Sequence, residues 1–260
     1  MSTAERLPDE PLIFPVGHYT GVLHRSMDPP SYHHTVMLGA GLTRLTDPHL
    51  AVWLLAHGPP EQNRGPWARP ALSSPSSSTG LPSTAAHSAV SLPTAPSAVG
   101  SLSTWPGSRG PWSRRQIVAH AETAGVRDPA RILAGLVADG LVVETLPETE
   151  HSVEFAESYR LVPLMLGLGN TTEEPARHGI GFFGRTALTV RGPHYSVWEW
   201  SHLDGNLWAG CRAYADSAIQ AGITDPEQTI PERVLTDFLG TLQALLASGA
   251  AYLDLARLPT

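Results

Sequence analysis

Lysine is missing from this chain: all 17 basic residues are arginine, set against 24 acids for a formal net charge of -7. A net negative chain lacks the electrostatic footprint of a nucleic-acid binder. There is one cysteine, Cys211, so no internal disulfide can form and no cysteine-based metal cage can be built. Charged residues are scarce at 16%. No apolar run reaches the length of a membrane span. The stretch from Met1 to Glu10 is polar and acidic, without the basic start and apolar run of a signal peptide. The chain therefore reads as cytoplasmic, with no membrane partner and nucleic acid disfavoured. Against these gaps stand 260 residues that are 42% hydrophobic, enough for one large domain or two small ones.

From Ala68 to Ser108 the composition shifts to Ser, Pro, Ala, Thr and Gly, and no Asp or Glu occurs between Glu61 and Glu122. Such a stretch cannot bury enough apolar surface to offset its ordering entropy, so 68–108 is expected to be a disordered insert. The tetrapeptide Arg64-Gly65-Pro66-Trp67 recurs as Arg109-Gly110-Pro111-Trp112. A direct repeat on either side of a low-complexity stretch marks an insertion into an older, shorter loop, and the join left without it has an ordinary length for a helix connection.

With the insert set aside, His18 to His24 and Tyr32 to Leu38 read as strands, and Gly39-Ala40-Gly41 turns the chain into a third, Leu42 to Leu45. Thr46 or Asp47 caps a helix that runs to His57 and stops at Gly58. Ser113 caps a second helix. Asp128 and Pro129 open a third, with Ile132, Leu133, Leu136 and Val137 on one stripe, and the β-prone run LVVET follows Gly140. Strands, three helices and a strand-like wing are winged helix-turn-helix grammar. The second half repeats it. Pro193-His194 and Val197-Trp198 match Pro48-His49 and Val52-Trp53, and Leu242 to Asp254 parallels Leu133 to Glu144. The expected fold is α+β, a tandem winged-helix pair, with domains at 11–160 and 161–260. The run Leu161 to Thr172 is expected to bridge the halves.

Catalytic and metal motifs are sparse. Gly179 to Gly184 fits G-x-G-x-x-G, yet it leads into a strand, so no helix N-terminus receives a pyrophosphate; it reads as a glycine-rich turn with buried Phe. His18, His24, His33 and His34 could share a sheet face without any zinc spacing. Cys211 reads as a buried structural thiol. Glu199, between Trp198 and Trp200, reads as part of a core stripe, and Thr224 with Asp225 as a helix cap. No cofactor, no metal and no enzymatic activity are expected.

The segments GLTRLTDPHLAVWLLAHG, WSRRQIVAHA and DPARILAGLVADGLVVE resemble the PqqD-like recognition element of ribosomally made, post-translationally modified peptides, and the resemblance spans about residues 16 to 145 without the insert. Stand-alone recognition proteins of actinobacterial clusters, such as the daptide kind, are the comparable members. The resemblance implies a non-catalytic protein that binds the leader of a precursor peptide by strand addition and presents it to modifying enzymes. It places the docking strand at Leu42, Thr43, Arg44 and Leu45, with a helix wall from Arg131, Gly135 and Ala138. Arg44 and Arg131 would meet leader acids, although for either one alone an ordinary solvated surface charge is the stronger reading. The competing reading is a winged-helix DNA-binding regulator. It is disfavoured because Arg131 lies between Asp128 and Asp139 on its recognition helix.

Overall fold

A computed structural model describes residues 10–25, 31–58 and 112–257; the insert read at 68–108 lies outside them. The elements run β1 (Leu12–Pro15), β2 (His18–Arg25), β3 (Ser31–Leu38), β4 (Gly41–Leu45), α1 (Asp47–Leu55), α2 (Arg114–Thr123), α3 (Pro129–Ala138), β5 (Val142–Thr145) and α4 (Glu150–Ser158). After them come β6 (Tyr159–Pro163), β7 (Leu166–Gly169), β8 (Arg177–Phe182), β9 (Arg185–Arg191), α5 (Gly192–Trp200), α6 (Leu207–Gln220), α7 (Pro226–Thr229), α8 (Pro231–Ala247) and β10 (Ala251–Leu255). The class is mixed α+β.

Both halves follow one plan. A short strand is followed by a three-stranded antiparallel meander, then helices, then a strand that returns to pair with the first. In the first half β5 pairs antiparallel with β1; in the second β10 pairs antiparallel with β6. The run LVVET, expected as a strand-like wing, pairs with an N-terminal strand, LIFP. The likeness extends to single bonds. The indole N–H of Trp53 donates to the Leu141 carbonyl at 3.1 Å, and that of Trp198 to the Ala250 carbonyl at 3.2 Å. The Val16 N–H reaches the same Leu141 carbonyl at 2.9 Å, as Leu164 reaches Ala250 at 2.9 Å. Gly140 and Gly249 end α3 and α8 with φ of 71° and 70°, a left-handed conformation that suits glycine.

Local chemistry explains the elements. Thr46 is the N-cap of α1, with Pro48 in the first turn, and Gln116 accepts the Ser113 N–H at 2.9 Å to open α2. On α3, Leu133 and Leu136 are fully buried and Ile132 and Val137 half-buried, as the stripe requires. Two cores result. One gathers Val36, Leu45, Trp53, Ile117, Leu133 and Leu136; the other gathers Trp198, Cys211 and much of α8. The strand β1 serves both: Ile13 enters the first core while Leu12 and Phe14 enter the second, because successive side chains of a strand point to opposite faces. Within the bridge expected at Leu161 to Thr172, Leu161 lies in β6 opposite Leu253, and Leu166–Gly169 form β7.

Candidate peptide edge and the polar cluster of the second half

The meander of the first half has the order β2-β3-β4, so β4 is an edge strand with β3 on one side and no strand on the other among the described residues. The β3–β4 register runs Leu38↔Gly41, Met37↔Leu42, Val36↔Thr43, Thr35↔Arg44 and His34↔Leu45. A two-residue turn, Gly39-Ala40, closes it, so Leu38 and Gly41 are a hydrogen-bonded pair. Pairs alternate in an antiparallel ladder. Gly41, Thr43 and Leu45 thus point their backbone groups at β3, while Leu42 and Arg44 turn theirs to the open side. Leu45 is buried in the core and Thr43 half-buried; Leu42 is 66% exposed and Arg44 is exposed. The four residues nominated from sequence therefore divide: Leu42 and Arg44 offer both backbone and side chain outward, and Thr43 and Leu45 hold the strand in place.

Arg131 and Ala138 are exposed and Gly135 half-exposed on α3. The helix packs on α1, α2 and β5, whereas β4 packs on β3 and α1; α1 is the element that both share. Arg131 opens onto a surface hollow of roughly 550 Å³ that also carries Glu122 and Asp128. Two carboxylates beside one guanidinium make that end of α3 a poor seat for an acid. Arg44 has no such neighbours on its strand.

A polar chain stands at the far end of the edge. Tyr32 donates to Asp47 at 2.8 Å, His34 Nε2 contacts the other Asp47 oxygen at 3.1 Å, and the Tyr19 hydroxyl meets His34 Nδ1 at 3.1 Å. The Asp47 carboxylate, by hydrogen bond and charge, pushes the Tyr32 phenol up. The chain ties β3 to the start of α1. His33 and His34 point to opposite faces of β3, so the histidines do not converge, and among the described residues no group of three or more His, Cys, Asp or Glu could hold a metal.

Other candidates resolve into structure. The G-x-G-x-x-G match is the β8–β9 hairpin: Gly184 takes φ 77°, and a Cβ on Gly181 would lie 2.3 Å from the Arg185 carbonyl oxygen. Its phenylalanines are not buried. Phe183, in the turn, is 89% exposed and Phe182, the last residue of β8, is exposed as well; Ile180 is the residue that enters the core. Cys211 is fully buried, and burial pushes its thiol pKa up, away from reactivity. Glu199 accepts a hydrogen bond from Tyr195 at 3.1 Å, while Trp200 is exposed and Trp198 buried. Asp225 caps α7 by accepting the Glu227 N–H at 3.1 Å.

One cluster had no counterpart in the sequence reading beyond His194. In the second half His194 Nε2 contacts Asp237 at 2.8 Å, Thr241 Oγ1 meets His194 Nδ1 at 2.6 Å, and Arg191 pairs with the same Asp237 oxygen. Burial raises the Asp237 pKa, but the hydrogen bonds and electrostatic pull of His194 and Arg191 outweigh it and hold the carboxyl below its usual range. Hydroxyl, imidazole and carboxylate in that order match a nucleophile relay. Here, however, carboxylate and hydroxyl stand one turn apart on α8, and His194 is buried edge-on to Phe238, with ring centroids 5.9 Å apart. The arrangement fastens the β9–α5 junction to α8. The i, i+4 spacing of Asp237 and Thr241 was the available signal; their distance in sequence from His194 hid it.

No known protein family, curated protein or solved structure matches the chain. Among the described residues no helix is long and apolar enough to cross a membrane.

Proposed function

We propose that the chain is a non-catalytic peptide-recognition protein, a tandem winged-helix pair of the PqqD-like kind, which takes the leader of a ribosomally made precursor as an added strand on β4 and presents it to modifying enzymes. The observation that carries this reading is the open edge of β4, where Leu42 and Arg44 direct their backbone groups away from β3. Four backbone hydrogen bonds at about 1 kcal/mol each fall short of the roughly 8 kcal/mol of micromolar binding. Side chains must supply the difference. Leu42, with the exposed Met37 beside it, offers an apolar seat on the outer sheet face, and Arg44 offers a charge two residues on. Arg131, Gly135 and Ala138 form the facing wall in this reading, with Arg131 the weaker contributor because of Glu122 and Asp128.

The test is a titration of a fluorescent leader peptide, taken from a precursor gene adjoining the coding sequence, with circular dichroism as the folding control. A proline at Thr43 would break the β3–β4 ladder, so the informative backbone variant is Arg44→Pro, which removes an outward donor. Saturable binding is expected for the wild type, with affinity falling tenfold or more in Arg44→Pro and in the pair Arg44→Glu, Arg131→Glu, on the order of a lost charged contact. A folded Arg44→Pro variant with unchanged affinity would remove β4 from the site, and no saturation by about 100 μM peptide would overturn the reading itself.

A further inference from the structure

The second half has its own counterpart of the peptide edge. Strand β9 is the edge of β7-β8-β9, as β4 is of its sheet, and α8 corresponds to α3. The two clefts differ. Strand β9 and helix α8 approach with Cα atoms within 8 Å and are joined by side-chain bonds, whereas among the described residues no hydrogen bond or ion pair joins β4 to α3. An added strand lies about 4.8 Å from the strand it pairs with, and a layer packed on its far side stands about 10 Å beyond it, so the two walls must be about 15 Å apart. There is no such room where β9 meets α8.

The residues at the junction account for the difference. Aligning the repeats on Trp53/Trp198 and Gly140/Gly249 sets His49 against His194 and Asp128 against Asp237, while the helix N-cap is Thr46 in one half and Arg191 in the other. In the second half the arginine reaches across to Asp237, His194 bonds the same carboxylate, and Thr241 holds the far side of the imidazole. In the first half the threonine hydroxyl turns back on its own helix to His49 Nδ1 at 2.7 Å, and among the described residues no hydrogen bond or ion pair joins Thr46 or His49 to Asp128.

We propose that the Arg191–Asp237–His194 bridge seals the second cleft, so that each chain takes one extended peptide, on β4, and that the residue capping the first helix of each half decides which cleft is open. This rests on the peptide-binding reading for the identity of the ligand, but the closure itself is independent of it.

Hydrogen exchange of the free, full-length protein reads the closure directly. In the wild type, amides of β9 are expected to exchange at least tenfold more slowly than the outward amides of Leu42 and Arg44. Asp237→Ala should raise exchange across β9 at least tenfold, Asp237→Asn, which keeps a hydrogen-bond acceptor for His194, should raise it less, and the α8 core from Phe238 to Leu246 should stay protected, which separates opening of the cleft from loss of the fold. The converse variant, Thr46→Arg, should slow exchange in β4. Equal exchange of β4 and β9 in the wild type, or β9 protection unchanged in a folded Asp237→Ala variant, would overturn the proposal. Calorimetry with the leader peptide used above should give one site per chain. Two sites in the wild type also overturn it, whereas an absence of any binding counts against the functional reading and leaves the exchange result to decide the closure.

Discussion

His57, at the end of α1, is buried with its ring edge-on to Trp53, centroids 4.5 Å apart, and its Nδ1 3.1 Å from the Trp53 carbonyl. Burial depresses its pKa to about 4, against a weaker opposite pull from the Trp53 and Leu54 carbonyls. The folded state therefore refuses a proton that the unfolded chain accepts near pH 6.5. The stabilisation from neutral His57 is fully present above that value and is lost as pH falls toward 4. Over this window the loss is on the order of 3 kcal/mol, and by pH 5 about 2 kcal/mol. Urea denaturation of the wild type at pH 7 and pH 5 should show that loss beyond what His57→Gln shows. Parallel pH slopes in the two proteins would mean that the imidazole finds solvent in the folded state.

At the scale of elements, the first meander is held to the second half through its turn. The Gly39 N–H donates to Asp254 Oδ1 at 2.7 Å, the other Asp254 oxygen pairs with Arg160 at 2.6 Å, and the Gly17 N–H donates to the Leu253 carbonyl at 2.7 Å. Gly17 has φ 93°, and a Cβ there would stand 2.6 Å from Val36 Cγ1, so no other residue lets the chain pass this close. Asp254 and Arg160 are largely buried, and removing one member of such a pair leaves a charge without compensation. Asp254→Ala should cost about 3 kcal/mol by urea denaturation, while Arg160→Met combined with Asp254→Leu should recover most of it. A cost below about 1 kcal/mol in the single variant would show that water reaches Arg160 when its partner is gone. The same scale bears on DNA. The exposed side of α3 presents a single arginine, Arg131, against Asp128 at one end and Asp139 at the other, which gives little to a phosphate backbone.

For the whole molecule, the join between α1 and α2 is anchored by Trp112. Its indole N–H donates to the Leu55 carbonyl at 2.6 Å, its own carbonyl accepts from Gln243 at 3.3 Å, and the side chain is buried in the first core. Deleting Ala68 to Trp112 joins the first Arg-Gly-Pro-Trp copy to Ser113, and Trp67 then falls where Trp112 stood. The deletion should keep a cooperative melt, with stability shifted upward by about 1 kcal/mol, since loop-closure entropy changes slowly with length. Trp112→Ala in the full chain should cost about 3 to 5 kcal/mol, the range for a buried Trp. A deletion variant that melts without cooperativity would show that Trp67 does not take the seat.

Much of this architecture is legible in the sequence because it is local. Period-2 and period-3.6 patterns, a capping Ser113, the Pro48 and Pro193 helix starts and the glycines after α3 and α8 each act within a few residues of themselves, and they mark where α1, α2, α3, α5 and α8 begin or end. What lies beyond them depends on which distant residues meet. LIFP has no alternation to reveal it, since both its faces are buried, each in a different core. Which of Leu42, Thr43, Arg44 and Leu45 faces outward follows from the turn that sets the ladder, and Arg191, His194, Asp237 and Thr241 come together only when α5 lies against α8. The sequence thus determined most helices and the strands of the first meander; the tertiary structure decided which edge stays open, because edge exposure is a property of what packs beside a strand and not of the strand itself.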